Sequence, residues 1–199
     1  MTTIEAASGS LLRQRNFVVF LGARTSSRFA SQIAAVAVGW QVYELTGSAL
    51  SLGLIGLAQF FPLFLLALPA GHFADTFDRR RITFACQIIK FAGLAVLAAE
   101  SFAGAASMFM IYACTIAFGV SHAFQQPALR ALMPTLVKHE ELPHCIAWAT
   151  GAKKAATIAG PALGGLIYML GPVAAYAAGA LCFVVAGLAL SSIHLHAHA

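Results

Sequence analysis

Gly71-His72-Phe73-Ala74-Asp75-Thr76-Phe77-Asp78-Arg79-Arg80-Arg81 is the stretch that decides the fold. It ends in three arginines and separates two apolar runs, Ala49 to Ala70 and Ile82 to Ala99. A helix crosses a bilayer core about 30 Å thick with roughly 20 mostly apolar residues. Each run approaches that length, so the segment between them reads as a turn at a membrane surface. Gly71 lets the preceding helix approach a neighbour and end. Asp75 can accept hydrogen bonds from helix N-terminal amides or pair with an arginine. The arginines anchor the next span at an anionic leaflet.

Four further runs pass the same length test: Phe17 to Tyr43, Gly104 to Phe124, Cys145 to Met169 and Pro172 to Ile193. All six are too long for the strands of a membrane barrel, which take about 10 alternating residues. The breakers between them are Thr46-Gly47-Ser48, the quoted segment, Glu100 to Gly104, Pro127 to Pro143, and Gly171-Pro172. The expected fold is an all-α bundle of six transmembrane helices, residues 16–193, with short segments 1–15 and 194–199 on either side.

Composition agrees. Of the 199 residues, 60% are hydrophobic and 10% charged, whereas a soluble domain carries about 25% charged residues. That excludes a soluble enzyme, a secreted disulfide scaffold and a disordered tail. The net charge of +5 does not point to a nucleic-acid partner, because the apolar excess marks a membrane protein whose basic residues lie mostly in its loops. Arg13, Arg15, Arg79, Arg80, Arg81, Arg130 and Lys138 lie in loops on one side, and the opposite loops carry no Lys or Arg. By the positive-inside rule both termini are expected on the cytoplasmic side, and the expected location is a plasma (bacterial inner) membrane. The first run contains Arg24 and Arg28 and lacks a cleavage box, so it reads as a retained span. Cys86, Cys114, Cys145 and Cys182 form no CxxC pair and read as packing thiols rather than a metal site.

The quoted segment resembles the loop between helices two and three of the major facilitator superfamily, Gly-x-x-x-Asp-x-x-Gly-Arg-(Arg/Lys). Gly71, Ala74, Asp75, Arg79 and Arg80 match; Phe73, Thr76 and Asp78 depart, Asp78 replacing the second Gly. Trp40 to Ser48, Gly56 to Phe60 and Phe124 to Pro134 are similar to the enterobactin-exporter-like efflux branch. The resemblance implies one six-helix half built from two inverted three-helix repeats. It implies a gating role for Gly71, Asp75, Arg79 and Arg80, with Asp75 and Arg79 latching the cytoplasmic face. It also implies export of a small molecule (drug, siderophore or metabolite) by alternating access with proton coupling, no cofactor, and lipid and substrate as partners. Gly160, Pro161, Gly164 and Gly165 resemble the core of the antiporter motif of helix five, where close packing and an antiport role stand as alternatives.

Two polar stripes mark the expected cavity. Arg24, Ser27, Arg28, Ser31 and Gln32 cover an arc of about 140° on span one. A cation near mid-bilayer costs roughly 3 kcal/mol or more when it faces lipid, so the stripe should face protein or water; Arg24 could instead reach back to the headgroups. On span four, Tyr112, Thr115, Gly119, His122 and Gln126 are spaced three, four, three and four residues apart. The resemblance places both stripes on the central cavity. Substrate-cavity candidates are thus Arg24, Arg28, Ser31, Gln32, Tyr112, Thr115 and His122, with packing as the alternative for Tyr112 and His122. Lys90 reads as snorkelling or packed, and Lys153 as meeting another helix or the opposite half. No Asp or Glu lies deep in a span, so this half should favour anionic or polar substrates.

Family members have twelve spans, and this chain stops where the central loop should begin. The expected partner is a second six-helix half: a missing segment, another chain, or a second copy. Without one, the span-five glycines would lack their partner, and the chain would be an inactive fragment or a membrane assembly subunit. An enzyme is not expected, because no His-Glu-x-x-His helix, paired membrane carboxylates or Gly-x-Ser-x-Gly elbow is present. The tail histidines His194, His196 and His198 read as an exposed stub rather than a metal site.

Overall fold

The computed structural model describes residues 15–137 and 139–192, and over them the fold is helices and turns without a strand. Arg13, Lys138, the end of span six and the tail histidines lie outside the described residues. Seven α-helices follow one another: α1 Arg15–Thr46, α2 Ala49–Leu65, α3 Ala67–Thr76, α4 Arg79–Phe102, α5 Met108–Leu132, α6 Leu142–Tyr168 and α7 Pro172–Ser191. Two short 3₁₀ turns, Met133–Thr135 and His139–Glu141, join α5 to α6.

Expected span two is a bent pair, α2 and α3, meeting at 53°. Pro69 explains the break. It sits in the first turn of α3, where its missing N–H would have no helical partner anyway, while its ring conflicts with the carbonyl four residues back, on Leu65. Two expected stops do not occur. Gly71 does not end a helix: α3 runs on to Thr76, and Phe77 adopts extended backbone. Nor does Gly71 mark a close approach, since no neighbour lies within 4 Å of the position its Cβ would take. Pro127 lies inside α5, which continues to Leu132.

Helices α4, α5 and α7 are long and apolar enough to cross a membrane, and the bent pair passes jointly. Helices α1 and α6 have 32 and 27 residues. They fall short in apolarity because they carry Arg24, Arg28 and Gln32, and Lys153 and Lys154. The chain alternates between two ends. At one end three tight turns use glycines at positive φ, Gly47, Gly104 and Gly171 (61°, 66° and 102°), a conformation that costs a Cβ-bearing residue about 1 kcal/mol or more. At the other end gather Arg15, Arg79 to Arg81 and Arg130.

The packing shows the inverted repeat that the sequence hides. α1 packs on α6 and α7, α4 on α5 and α7, and α2 with α3 on α5. Exchanging the first three spans with the last three maps this pattern onto itself, because span one on five becomes span four on two, and span one on six becomes span four on three. The interior has two apolar clusters. One, toward the glycine turns, includes Ile33, Ala37, Leu94, Ile111, Tyr176 and Phe183. The other, toward the arginines, includes Phe17, Phe20, Leu129, Leu132 and Cys145. Between them lies a layer of buried polar side chains: Ser27, Gln87, Lys90, Ser121 and Gln125.

Candidate transport cavity

A cavity of about 480 Å³ lies between α1, α2, α4 and α5 at the height of the polar layer. Span one contributes Arg28, Ser31 and Gln32, and span four contributes Thr115 and His122. The two stripes therefore do face each other. Toward the glycine turns the wall is apolar, with Val38, Leu52, Ile55, Phe60 and Phe118. Toward the arginine end a smaller chamber of about 40 Å³ shares Arg28, Ser31, Lys90 and His122 with the large cavity and adds Arg24, Gln125, Gln126 and Lys153.

Hydrogen bonds hold these side chains in place. Ser27 Oγ donates to Gln87 Oε1 at 3.2 Å, tying α1 to α4. Ser31 Oγ donates to the Ser27 carbonyl at 2.9 Å. Arg28 Nε reaches Thr157 Oγ1 at 3.5 Å, and Gln32 Nε2 reaches the Thr157 carbonyl at 3.4 Å, so α6 steadies the α1 stripe. His122 and Gln126 meet through their Nε2 atoms at 3.2 Å, with the amide N–H donating to the ring nitrogen.

Of the sequence candidates, Tyr112 does not line the cavity. It is half-buried against the apolar cluster one turn above Thr115. Arg24 lines only the small chamber. Lys90 takes a larger part than expected. It is 3% exposed, lines both spaces, donates to Gln125 Oε1, and lies 5.8 Å from the Phe183 ring centre. The signal available in the sequence is Thr83, Gln87 and Lys90, spaced four and three on one face of span three. Gln59 and Gln125 were not expected and carry no such stripe.

The span-five glycines pack within this half, not against a missing one. A Cβ on Gly160 would come 2.5 Å from Gln32 Cβ, and one on Gly164 would come 3.1 Å from Ile33 Cα. Helix α6 thus seats its small residues directly on α1. Gly165 faces open space, and Lys153 borders the small chamber.

At the arginine end, Arg79 donates to the Ala74 carbonyl at 3.5 Å and the Ala131 carbonyl at 3.1 Å. Arg80 donates to the Leu190 carbonyl at 3.1 Å and also to the Ser191 carbonyl. The two guanidinium groups thereby satisfy carbonyls at the C-terminal ends of α5 and α7, where the helix dipole favours a cation. Asp78, the departure from the family pattern, caps α4 by accepting from Arg80 N at 2.9 Å, and lies 3.7 Å from Arg81. Asp75 does neither of the things expected of it. It is exposed, with no hydrogen-bond or ion-pair partner among the described residues.

A polar cavity at mid-height in a bundle of alternating apolar helices, with an inverted three-plus-three repeat, is the arrangement of one half of a secondary transporter. The family model for transmembrane secretion effectors, within the major facilitator superfamily, matches residues 6–199. The chain belongs to this superfamily. Macrolide efflux protein A of Streptococcus pyogenes is 28% identical over 152 residues, 76% of this chain and 38% of that protein. The same-named protein of Enterococcus faecalis is 29% identical over 122 residues, 61% of this chain and 38% of its own length. The staphyloferrin A transporter of Staphylococcus aureus is 26% identical over 184 residues, 90% of this chain and 44% of that protein. This major facilitator chain thus spans less than half the length of the curated relatives it matches. Its family and its apolar helices make it a multi-pass membrane protein in contact with lipid.

Proposed function

We propose that the chain is the six-span N-terminal half of a secondary active exporter, with both ends cytoplasmic in an inner membrane. It moves a small molecule outward by alternating access coupled to protons. The observation that carries this reading is the cavity shared by the α1 and α5 stripes at mid-height in an apolar bundle. The names of the relatives, a macrolide efflux protein and a staphyloferrin A transporter, support it. A second six-helix half, whether in the same polypeptide, another chain or a second copy, closes the open side of the cavity. Asp75, exposed at the arginine end, meets that half and latches the cytoplasmic face, while Arg79 and Arg80 fasten helix ends inside this one.

The test is accumulation of a labelled macrolide and labelled staphyloferrin A in energised inside-out vesicles. One set carries this chain alone and another carries it with a second half. Accumulation that collapses with a protonophore and with Arg28→Ala is the expected result. Absence of flux in both sets overturns the reading in favour of a non-transporting membrane assembly subunit.

A further inference from the structure

The small chamber beneath the main cavity is lined by hydrogen-bond donors, and no Asp or Glu among the described residues lines it. Arg24 Nη1 and Gln125 Nε2 are buried there without a hydrogen-bond partner among the described residues. Gln125 is 4% exposed, and its Oε1 is already taken by Lys90, so only its N–H groups remain to offer. Lys90 is as deeply buried and has no counter-ion among the described residues. Buried donors and cations of this kind leave a large desolvation cost uncompensated unless an acceptor meets them. A guanidinium fork with a neighbouring amide N–H matches the two oxygens of a carboxylate or similar oxyanion. A space of about 40 Å³ holds roughly three waters at the ~10–15 Å³ that each needs, which suits an oxyanion head and little more. The larger cavity above it is walled by Phe60 and Phe118.

We propose that Arg24, Arg28, Lys90 and Gln125 form an oxyanion chamber that holds the acidic head of an amphipathic organic anion, whose apolar body lies along Phe60 and Phe118. The proposal rests on the exporter reading for calling that anion a substrate, but binding is measurable without transport. The purified chain in detergent is titrated with 4-phenylbutyrate, its neutral amide, 4-phenylbutylamine and inorganic sulfate, followed by thermal shift and intrinsic tryptophan fluorescence. The expected order is 4-phenylbutyrate binding at least tenfold more tightly than the other three. Lys90→Met should weaken it at least tenfold. Gln125→Glu, which pairs a carboxylate with Lys90, should abolish binding while raising Tm, so loss of binding is not loss of fold. Equal binding of the amide or amine overturns the chamber. Equal binding of sulfate overturns the organic substrate in favour of a free inorganic oxyanion. Wild-type affinity in Gln125→Glu overturns the assignment of residues. Flux of a cationic or neutral compound without anion binding removes the chamber and leaves the exporter, whereas anion binding without flux does the reverse.

Discussion

Gly119→Ala is the sharpest test of how this half is held together. A Cβ at Gly119 would lie 2.4 Å from the Gln59 carbonyl oxygen and 3.2 Å from its carbon. An ordinary C···O contact is about 3.3–3.6 Å, so α2 must retreat by about 1 Å, and the obstacle is backbone rather than a swinging side chain. Overpacking of this kind costs about 1–3 kcal/mol, and a backbone obstacle belongs near the top of that range. Replacing Gly by Ala in a helix returns about 1 kcal/mol. The net loss is about 2 kcal/mol, or roughly 4–8 °C in Tm for a chain of this size. Gly165→Ala is the internal control: nothing lies within 4 Å of its Cβ, so only the helix gain remains. The two variants, melted in the same detergent and followed by circular dichroism, should therefore fall on opposite sides of the parent, about 3 kcal/mol apart. If Gly119→Ala melts at or above the parent, or together with Gly165→Ala, then α5 and α2 are not in the described contact and the cavity wall at Gln59 is misplaced.

Arg80→Ala removes a cation from the Leu190 and Ser191 carbonyls and should cost about 1–2 kcal/mol in thermal unfolding. Asp75→Asn should leave Tm unchanged, and a loss of more than about 1 kcal/mol would show a structural partner for Asp75. Tyr176→Phe deletes the 2.6 Å hydrogen bond to Gln41 Oε1; interhelical hydrogen bonds in membranes are worth about 0.6 kcal/mol and at most about 1.7, so a Tm drop beyond about 7 °C would contradict that role. Arg81→Cys, at a position 90% exposed, should react with a membrane-impermeant maleimide only in inside-out vesicles. Reaction from the periplasmic side would reverse the proposed orientation.

The lengths of the apolar runs made the all-helical bundle legible, because lipid imposes that constraint locally. Tyr112 shows where that kind of reading stops. A helical stripe fixes the direction in which a side chain points but not its height, and Tyr112 sits about 4.5 Å above Thr115 at 1.5 Å per residue, beside the apolar cluster. Pro127 reads as a stop because in water the freed carbonyl favours a helix end; inside a membrane bundle, neighbouring groups can satisfy that backbone and the helix continues. The smallness of Gly160 and Gly164 was visible, but not their partner, because Gln32 and Ile33 lie more than a hundred residues away and the fold alone brings them together. Lys90 was half legible. Its stripe with Thr83 and Gln87 is visible in the sequence, while Gln125, whose Oε1 accepts its hydrogen bond, lies on a different span.

The source of cohesion in this half decides how variants in the chamber can be interpreted. Between helices in lipid the hydrophobic effect is weak, so association rests on close packing and interhelical hydrogen bonds. Close packing comes from Gly160 and Gly164, which seat α6 on α1, and from Gly119, which seats α5 on α2. The interhelical hydrogen bonds lie both at the helix ends, where Arg79 and Arg80 clamp α5 and α7, and in the polar layer, where Ser27 meets Gln87 and Lys90 meets Gln125. Within the layer, Lys90 is a buried cation with no counter-ion among the described residues; Lys90→Met removes its desolvation cost but leaves the buried Gln125 Oε1 without its donor, a loss of about 1–3 kcal/mol. The two effects oppose each other, so Lys90→Met should change Tm little while weakening anion binding. The same polar layer interrupts the apolar contact between the two clusters, leaving the arginine-end cluster smaller and dependent on its hydrogen-bonded helix ends.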